Sequence, residues 1–343
     1  MAVLKNYCIL FIAIIFLFEG CASSNRVTQK STSFQKETAY TIIFVIHADS
    51  DYLFHQNGRA YQADKEALGK ATDVAINAHN GEVFIFHQKP KKKTLWLFPK
   101  KSRQFLHYKN GALVERSHYS SEDGGFEAEA IIYKANKNSK SDRNIFVYLG
   151  HEIPSYEGRS YHQSQPKHAF NSFVFANSLK EFEPNFDLTI LSTCNNGNLQ
   201  TAHELLGITE VLLASPQNLH LSYLDFESLS LLENEIKPTT LALADSIGES
   251  SFNRLSNSLQ TAVTVSVYDM NRLQPMLEST FPIYQKYLQT ISKPVPFADN
   301  LDCANLKSLQ GLIDSAGVHT YFRPAMFGRK SNQTTHSGWG CKE

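Results

Sequence analysis

The run Phe186-Asp-Leu-Thr-Ile-Leu-Ser-Thr-Cys194-Asn-Asn-Gly197 decides how the rest of the chain is read. Residues 186–191 are mostly apolar and rich in strand formers, so they predict a buried strand. Small polar residues end that strand, and one cysteine stands at its exit. A helix is expected to begin near Asn198, a residue type that caps helix starts. Upstream, Asn144-Ile-Phe-Val-Tyr-Leu149 reads as a second buried strand and runs into Gly150 and His151. Downstream, Val211-Leu-Leu-Ala214 is a third.

The same pattern extends outward in both directions. Residues 41–46 (TIIFVI) and 82–87 (EVFIFH) are continuous apolar runs. Residues 64–78, 122–137 and 169–182 carry helical spacing. Apolar strands alternating with helices predict an α/β fold, a three-layer sandwich with a mainly parallel sheet covered on both faces. Residues 94–98 and 103–116 predict a small β-insertion that turns at Asn110-Gly111. Further on, helices are expected over 239–256, 270–290 and 301–315, and strands over 262–268 and 318–322. The expected organisation is therefore a core α/β domain over 39–233 and a helix-rich C-terminal extension over 234–343.

The first 38 residues read differently. Lys5 supplies a positive start, and residues 9–18 form an apolar stretch too short to span a bilayer comfortably. Gly20 before Cys21 resembles a lipobox, whose cysteine thiol receives diacylglycerol after cleavage. Residues 1–20 are thus expected to be a lipoprotein signal peptide and residues 21–38 a polar, flexible tether. Phe18 and Glu19 depart from the strictest lipobox pattern. Ala22 replaces the Asp that commonly retains lipoproteins at an inner membrane, so the expected home is the outer membrane of a cell envelope.

Lysine plus arginine equals aspartate plus glutamate, 33 against 33, so no basic surplus supports a nucleic-acid partner. Of five cysteines, Cys8 leaves with the signal and Cys21 is lipidated. An oxidising compartment favours pairing two of the remaining three. Cys303 and Cys341 share the C-terminal segment, and pairing them leaves Cys194 as the odd thiol. No close His or Cys pair marks a zinc site, and neither a phosphate-binding loop nor a Gly-x-Ser-x-Gly elbow is present. Asp49 and Asp51 have ligand chemistry for calcium, with loop capping the simpler role. No other cofactor is implied.

In open parallel sheets, ligands bind beyond the carboxyl ends of strands. His151 and Cys194 both fall there. A thiolate at Cys194 would be the nucleophile and His151 its proton partner. This arrangement, with the words around it, resembles the clostripain-like cysteine peptidases. Their pattern after the nucleophile, Ala-Tyr-Glu-Leu and then a strand ending in Ala-Ser, is met here by Thr201-Ala-His-Glu-Leu205 and Val211-Leu-Leu-Ala-Ser215. The first strand runs into His47-Ala48-Asp49, similar to that family's Ala-Ala-Asp. Tyr321-Phe-Arg-Pro324 and Ser337-Gly-Trp339 resemble words of lipoprotein relatives more weakly.

The resemblance covers residues 39–225. It implies a caspase-like fold, a Cys194–His151 dyad, and a peptide or protein substrate. Backbone N–H groups of the turn after Cys194, with Glu152 and Asn195, would shape the oxyanion site, and Ser192, Ser215 and Gln217 the substrate pocket. Three departures stand out: Glu152 where the family has Gly after the His, Ser192-Thr193 in place of Asp-Ala before the Cys, and Pro216-Gln217 in place of Glu after Ala-Ser. They support an alternative, a catalytically inactive peptidase-fold lipoprotein that binds a peptide or an envelope partner. His47, His203 and His220 are alternative histidines, each read as a surface or satisfied core residue. Oligomeric state is not legible in the sequence.

Overall fold

In the computed structural model, the described residues are 37–47, 53–56, 59–88, 93–94, 98–99, 103–120, 125–155, 170–219, 224–291, 300–313 and 316–342. The expectations on Cys21, the tether, the calcium candidates Asp49 and Asp51, and His220 lie outside them.

Nine strands form one sheet: β1 (Tyr40–Ile46), β2 (Gly81–Gln88), β3 (Arg103–Lys109), β4 (Ala112–Tyr119), β5 (Asn144–Leu149), β6 (Phe186–Ser192), β7 (Thr209–Ala214), β8 (Val263–Asp269) and β9 (Val318–Arg323). Their order is β9-β8-β7-β6-β5-β1-β2-β3-β4. The five central strands, from β7 to β2, run parallel. Two antiparallel strands finish each side.

Alternation along each strand divides the core between the two faces. Ile42, Phe44, Ile145, Val147, Leu188, Ile190, Val265 and Val267 point to one side. There they meet α1 (Ala63–Asn77) and α5 (Thr240–Ser258). Helix α1 presents Ala63, Ala67, Ala71 and Ala75, a four-residue spacing of small side chains that lets a helix lie close to a sheet. Ile43, Val45, Phe84, Phe86, Phe146 and Tyr148 point to the other side. That face carries α2 (Glu127–Asn136), α3 (Ser172–Phe182), the short α4 (Leu199–Glu204) and α6 (Met270–Thr290). Its core is aromatic: Phe126 and Phe146 lie about 6 Å from each other and from both Phe175 and Phe182, centroid to centroid.

Three expectations need correction. The hairpin turning at Asn110-Gly111 is no separate insertion, because β3 pairs with β2 and extends the main sheet. Residues 301–315 do not form a helix: Leu301–Asp302 pair antiparallel with Gly340–Cys341, and a single 3-10 turn follows. Lastly, β8 and β9 belong to the same sheet, and Lys36–Glu343 form one compact unit. The break expected after residue 233 is a switch from parallel to antiparallel pairing within that sheet.

Candidate active site

Strands β5 and β6 deliver two loops side by side at the carboxyl edge of the sheet. Leu149 stands opposite Ser192, and Gly150 N donates to Ser192 O at 3.5 Å. His151 and Cys194 each follow two residues later, so the strand register sets them at matching positions. Cys194 is half-buried and is the free cysteine among the described residues, since Cys303 and Cys341 form a disulfide. Its Sγ donates to Leu219 O at 3.2 Å.

Four polar residues, Thr193, Asn195, Asn196 and Asn198, build the loop around Cys194. Asn195 sits at φ +59°, a left-handed backbone that Asn tolerates better than most residues. Asn196 is fully buried and joins the two loops. Its Oδ1 accepts from Ile153 N at 2.9 Å while its Nδ2 donates to Ile153 O at 2.9 Å, as a neighbouring strand would. Thr193 Oγ1 donates to the same Oδ1 at 2.6 Å. Asn198 caps α4 by accepting from Thr201 N at 2.8 Å and steadies the turn by donating to Asn195 O at 2.7 Å. Between them, Gly197 leaves no room for a side chain: a Cβ there would lie 2.4 Å from Tyr268 Oη and 2.7 Å from Pro216 N.

The expected roles of the turn change accordingly. Asn195 N donates to Gln217 O at 3.0 Å and Gly197 N to Ser215 O at 2.8 Å. Both groups hold the segment after β7 and are not directed at a substrate oxyanion. Helix α4 spans only six residues, so the field at its N-terminus is weak. Ser192 is buried, and its Oγ accepts from Leu224 N at 2.9 Å. Ser215 Oγ donates to Gln217 O at 2.8 Å, and Gln217 Oε1 accepts from Thr264 on β8 at 2.7 Å. These three pocket candidates shape the backbone around the site.

Glu152, the residue in place of glycine, is engaged by two partners. Asn195 Nδ2 donates to its Oε2 at 2.7 Å, and Lys342 Nζ meets its Oε1 at 2.5 Å. The Lys342 side chain is only 9% exposed, so the pair is shielded from water on that side. Sequence reasoning missed both Asn196 and Lys342. The Asn-Asn-Gly-Asn run signalled a tight turn but not its partners, and a lysine 190 residues away in fold terms carried no signal at all.

The alternative histidines are occupied elsewhere. His47 follows β1 and packs edge-on against Phe126 and Tyr148 at 5.5 and 5.6 Å. His203 lies on α4 and stacks on Phe281 at 3.7 Å; burial pushes its imidazole below its ordinary value, against the pull of Glu204 and Glu278. Among the described residues, no cluster of three or more His, Cys, Asp or Glu could hold a metal ion. A polar cleft of about 410 Å³ opens between the start of α3, α4 and α6, lined in part by Ser155, Asn171, Gln200, Glu204 and Gln285. A second cleft of about 320 Å³ on the other face, lined by Lys70, Asp73 and Asp225, contains none of the loop residues above.

No protein-family model matches this sequence, and no curated protein matches it either. Solved structures do. The chain is similar to a secreted C11 cysteine protease from Bacteroides thetaiotaomicron, with TM-score 0.59 and 12% identity over 90% of this chain and 94% of the other. It is similar to an inactive zymogen C11 protease from Parabacteroides distasonis, with TM-score 0.57 and 14% identity over 89% and 92%. A B. thetaiotaomicron C11 protease in complex with an irreversible peptide inhibitor follows at TM-score 0.51 and 13% identity, over 76% and 73%. At such identities the likeness is one of architecture, and the chain carries the caspase-like fold of the clostripain-like cysteine proteases.

Proposed function

We propose that this protein is a cysteine endopeptidase of the clostripain-like type, held to a cell envelope by lipid on Cys21. The observation that carries the reading is the register of β5 and β6, in which Leu149 stands opposite Ser192, so that His151 and Cys194 each follow two residues beyond a paired position at the carboxyl edge of this fold. The polar cleft supports it. Ser155 lies four residues beyond His151 and Gln200 six beyond Cys194, so amide and hydroxyl groups that can pair with a peptide main chain adjoin both loops. A solved neighbour of the same fold holds an irreversible peptide inhibitor.

Catalysis starts when the Cys194 thiol exchanges its hydrogen bond to Leu219 O for one to His151. The imidazole takes the proton, and the thiolate attacks the scissile carbonyl carbon. The developing oxyanion is held by the Glu152 N–H, whose side chain points off toward Asn195 and Lys342. Imidazolium donates its proton to the leaving amine, and a thioester remains on Cys194. Water then attacks the thioester with His151 as base, releasing the acid and restoring the thiol.

A second reading has its own support. The thiol donates to a carbonyl, which favours its protonated form, and the N–H groups of Asn195 and Gly197 are engaged. On that reading the same groove binds a peptide without turnover. Cleavage of a peptide library by the wild type, Cys194→Ala and His151→Ala separates the two. Loss of turnover on the order of 10²-fold or more in both variants, with unchanged melting, is expected. Equal turnover by wild type and Cys194→Ala overturns the peptidase reading. No turnover, together with thiol alkylation that rises only near an ordinary thiol pKa of about 8.5, selects the binding reading.

A further inference from the structure

The segment 336–342 meets the nucleophile loop at several points that the peptidase reading does not use. Gly340 N donates to Gly197 O at 2.9 Å. A Cβ on Gly340 would lie 2.3 Å from Pro216 O and 2.5 Å from Asn300 Nδ2, so only glycine allows this approach. Asn300 Nδ2 in turn donates to Asn195 O at 3.1 Å. The segment is fastened from behind. Cys341 is bonded to Cys303, Trp339 is fully buried against Tyr268, and Cys303 N donates to Trp339 O at 2.9 Å. Tyr287 on α6 donates to Lys342 O at 3.0 Å. These contacts carry Lys342 to Glu152, the residue that follows His151.

We infer that Lys342 is a positioning residue of the peptidase site, acting through Glu152 and Asn195 and held in place by the Cys303–Cys341 disulfide. The inference rests on the peptidase reading above. Glu152 follows His151 directly, and Asn195 follows Cys194 directly, so the 2.7 Å bond between them sets the spacing of the two loops. A carboxylate so placed has two effects on a thiolate mechanism. It orients Asn195, and by its charge it opposes a second negative charge on the neighbouring sulfur. Lys342 removes the second effect while preserving the first. Because its side chain is shielded, the pair differs from an exposed ion pair: removing one partner strands the other in a poorly solvated place.

The stranded carboxylate is then free to turn toward His151 and pair with its imidazolium. That would loosen Asn195 and disfavour the thiolate together. The structure also explains how Glu152 is accommodated where the clostripain-like pattern has glycine. Its carboxylate is engaged by Asn195 Nδ2 on one oxygen and by Lys342 on the other.

The test compares wild type, Lys342→Met, Lys342→Arg and the double variant Glu152→Gln/Lys342→Met, as full oxidised proteins. Peptide turnover and Cys194 alkylation by iodoacetamide at pH 7 are read side by side, with thermal melting as the folding control. Lys342→Met is expected to lower kcat on the order of 10- to 100-fold with little change in KM, and to slow alkylation in step. Lys342→Arg restores both to within about threefold, and the double variant is less impaired than Lys342→Met, because in neither does an unpaired charge remain. A Cys303→Ala/Cys341→Ala protein is expected to follow Lys342→Met. If Lys342→Met matches wild type in kcat and alkylation, or if the double variant is as impaired as the single one, the inference is overturned. If wild type turns nothing over, the peptidase reading has failed, and the alkylation series alone decides whether Lys342 acts on Cys194: equal rates in all variants overturn that role, and slowing in Lys342→Met and the disulfide variant but not in Lys342→Arg upholds it.

Discussion

At the scale of single residues, the candidate site is crowded with backbone contacts that tolerate no extra atoms. Gly197 is the clearest case. Tyr268 Oη, Pro216 N and Ser215 C all fall within 3 Å of where a Cβ would stand, and two of the three are main-chain atoms that cannot swing away. Gly197→Ala is expected to destabilise the fold by about 1–3 kcal/mol through overpacking. It should also lower turnover by shifting the loop that carries Cys194. Urea unfolding monitored by fluorescence checks the first effect, and peptide cleavage at saturating enzyme stability checks the second. A stability equal to wild type would mean that the β7–loop contact is looser than described. Cys194 and His151 stood out in the sequence as candidates because strand ends are visible as changes of composition. Asn196 did not, since its role depends on meeting the Ile153 backbone, and nothing in a sequence marks that meeting.

At the scale of elements, pairing between strands places charges where burial alone would forbid them. Glu82 opens β2 opposite Lys109 on β3, and the whole residue is buried. Burial pushes its carboxyl up, but hydrogen bonds from His107 at 2.8 Å and from Ser139, with the charges of Lys109 and His107, outweigh it and hold the carboxyl below its ordinary value of 4.5. The sign follows from linkage. A carboxyl lower in the folded than in the unfolded chain contributes stability that is fully present above 4.5 and is lost as pH falls through that value toward the folded one. Glu82→Gln is therefore expected to cost on the order of 3 kcal/mol near neutrality and to flatten the loss of stability below pH 5. Denaturant titrations at pH 7 and pH 4 check this, and an unchanged acid limb would exclude Glu82 as its source. The same scale explains the missed segment 301–315. Its helical spacing is a local preference, and the disulfide to Cys341 with the pairing to Gly340 overrode it.

At the scale of the whole molecule, one sheet joins residues that lie far apart in the chain. Strand β9, near the end, pairs with β8, which pairs with β7, so the segment carrying Lys342 is bound to the unit that carries Cys194. No helix among the described residues is long and apolar enough to cross a membrane. On the proposed reading, attachment is through lipid on Cys21. Cys21→Ser is expected to abolish incorporation of a fatty-acid probe and to move the protein from the detergent-soluble to the aqueous fraction, with peptide turnover unaffected. Probe incorporation equal to wild type would remove the anchor from the reading.

The sequence by itself determined the alternation of buried strands and helices, and with it the parallel core and the strand ends where His151 and Cys194 stand. Those features are local: a run of apolar residues buries itself on two faces whatever its neighbours are, and chemistry collects where such runs end. It also pointed to Cys303 and Cys341 as partners through export and simple counting. Only the tertiary structure decided that the hairpin after β2 belongs to the main sheet, that the N–H groups of Asn195 and Gly197 support the segment after β7, and that Glu152 is paired with Lys342. Each of these depends on which distant segments meet. The free energy of a meeting is a property of the assembled pair, and neither partner's sequence carries it alone.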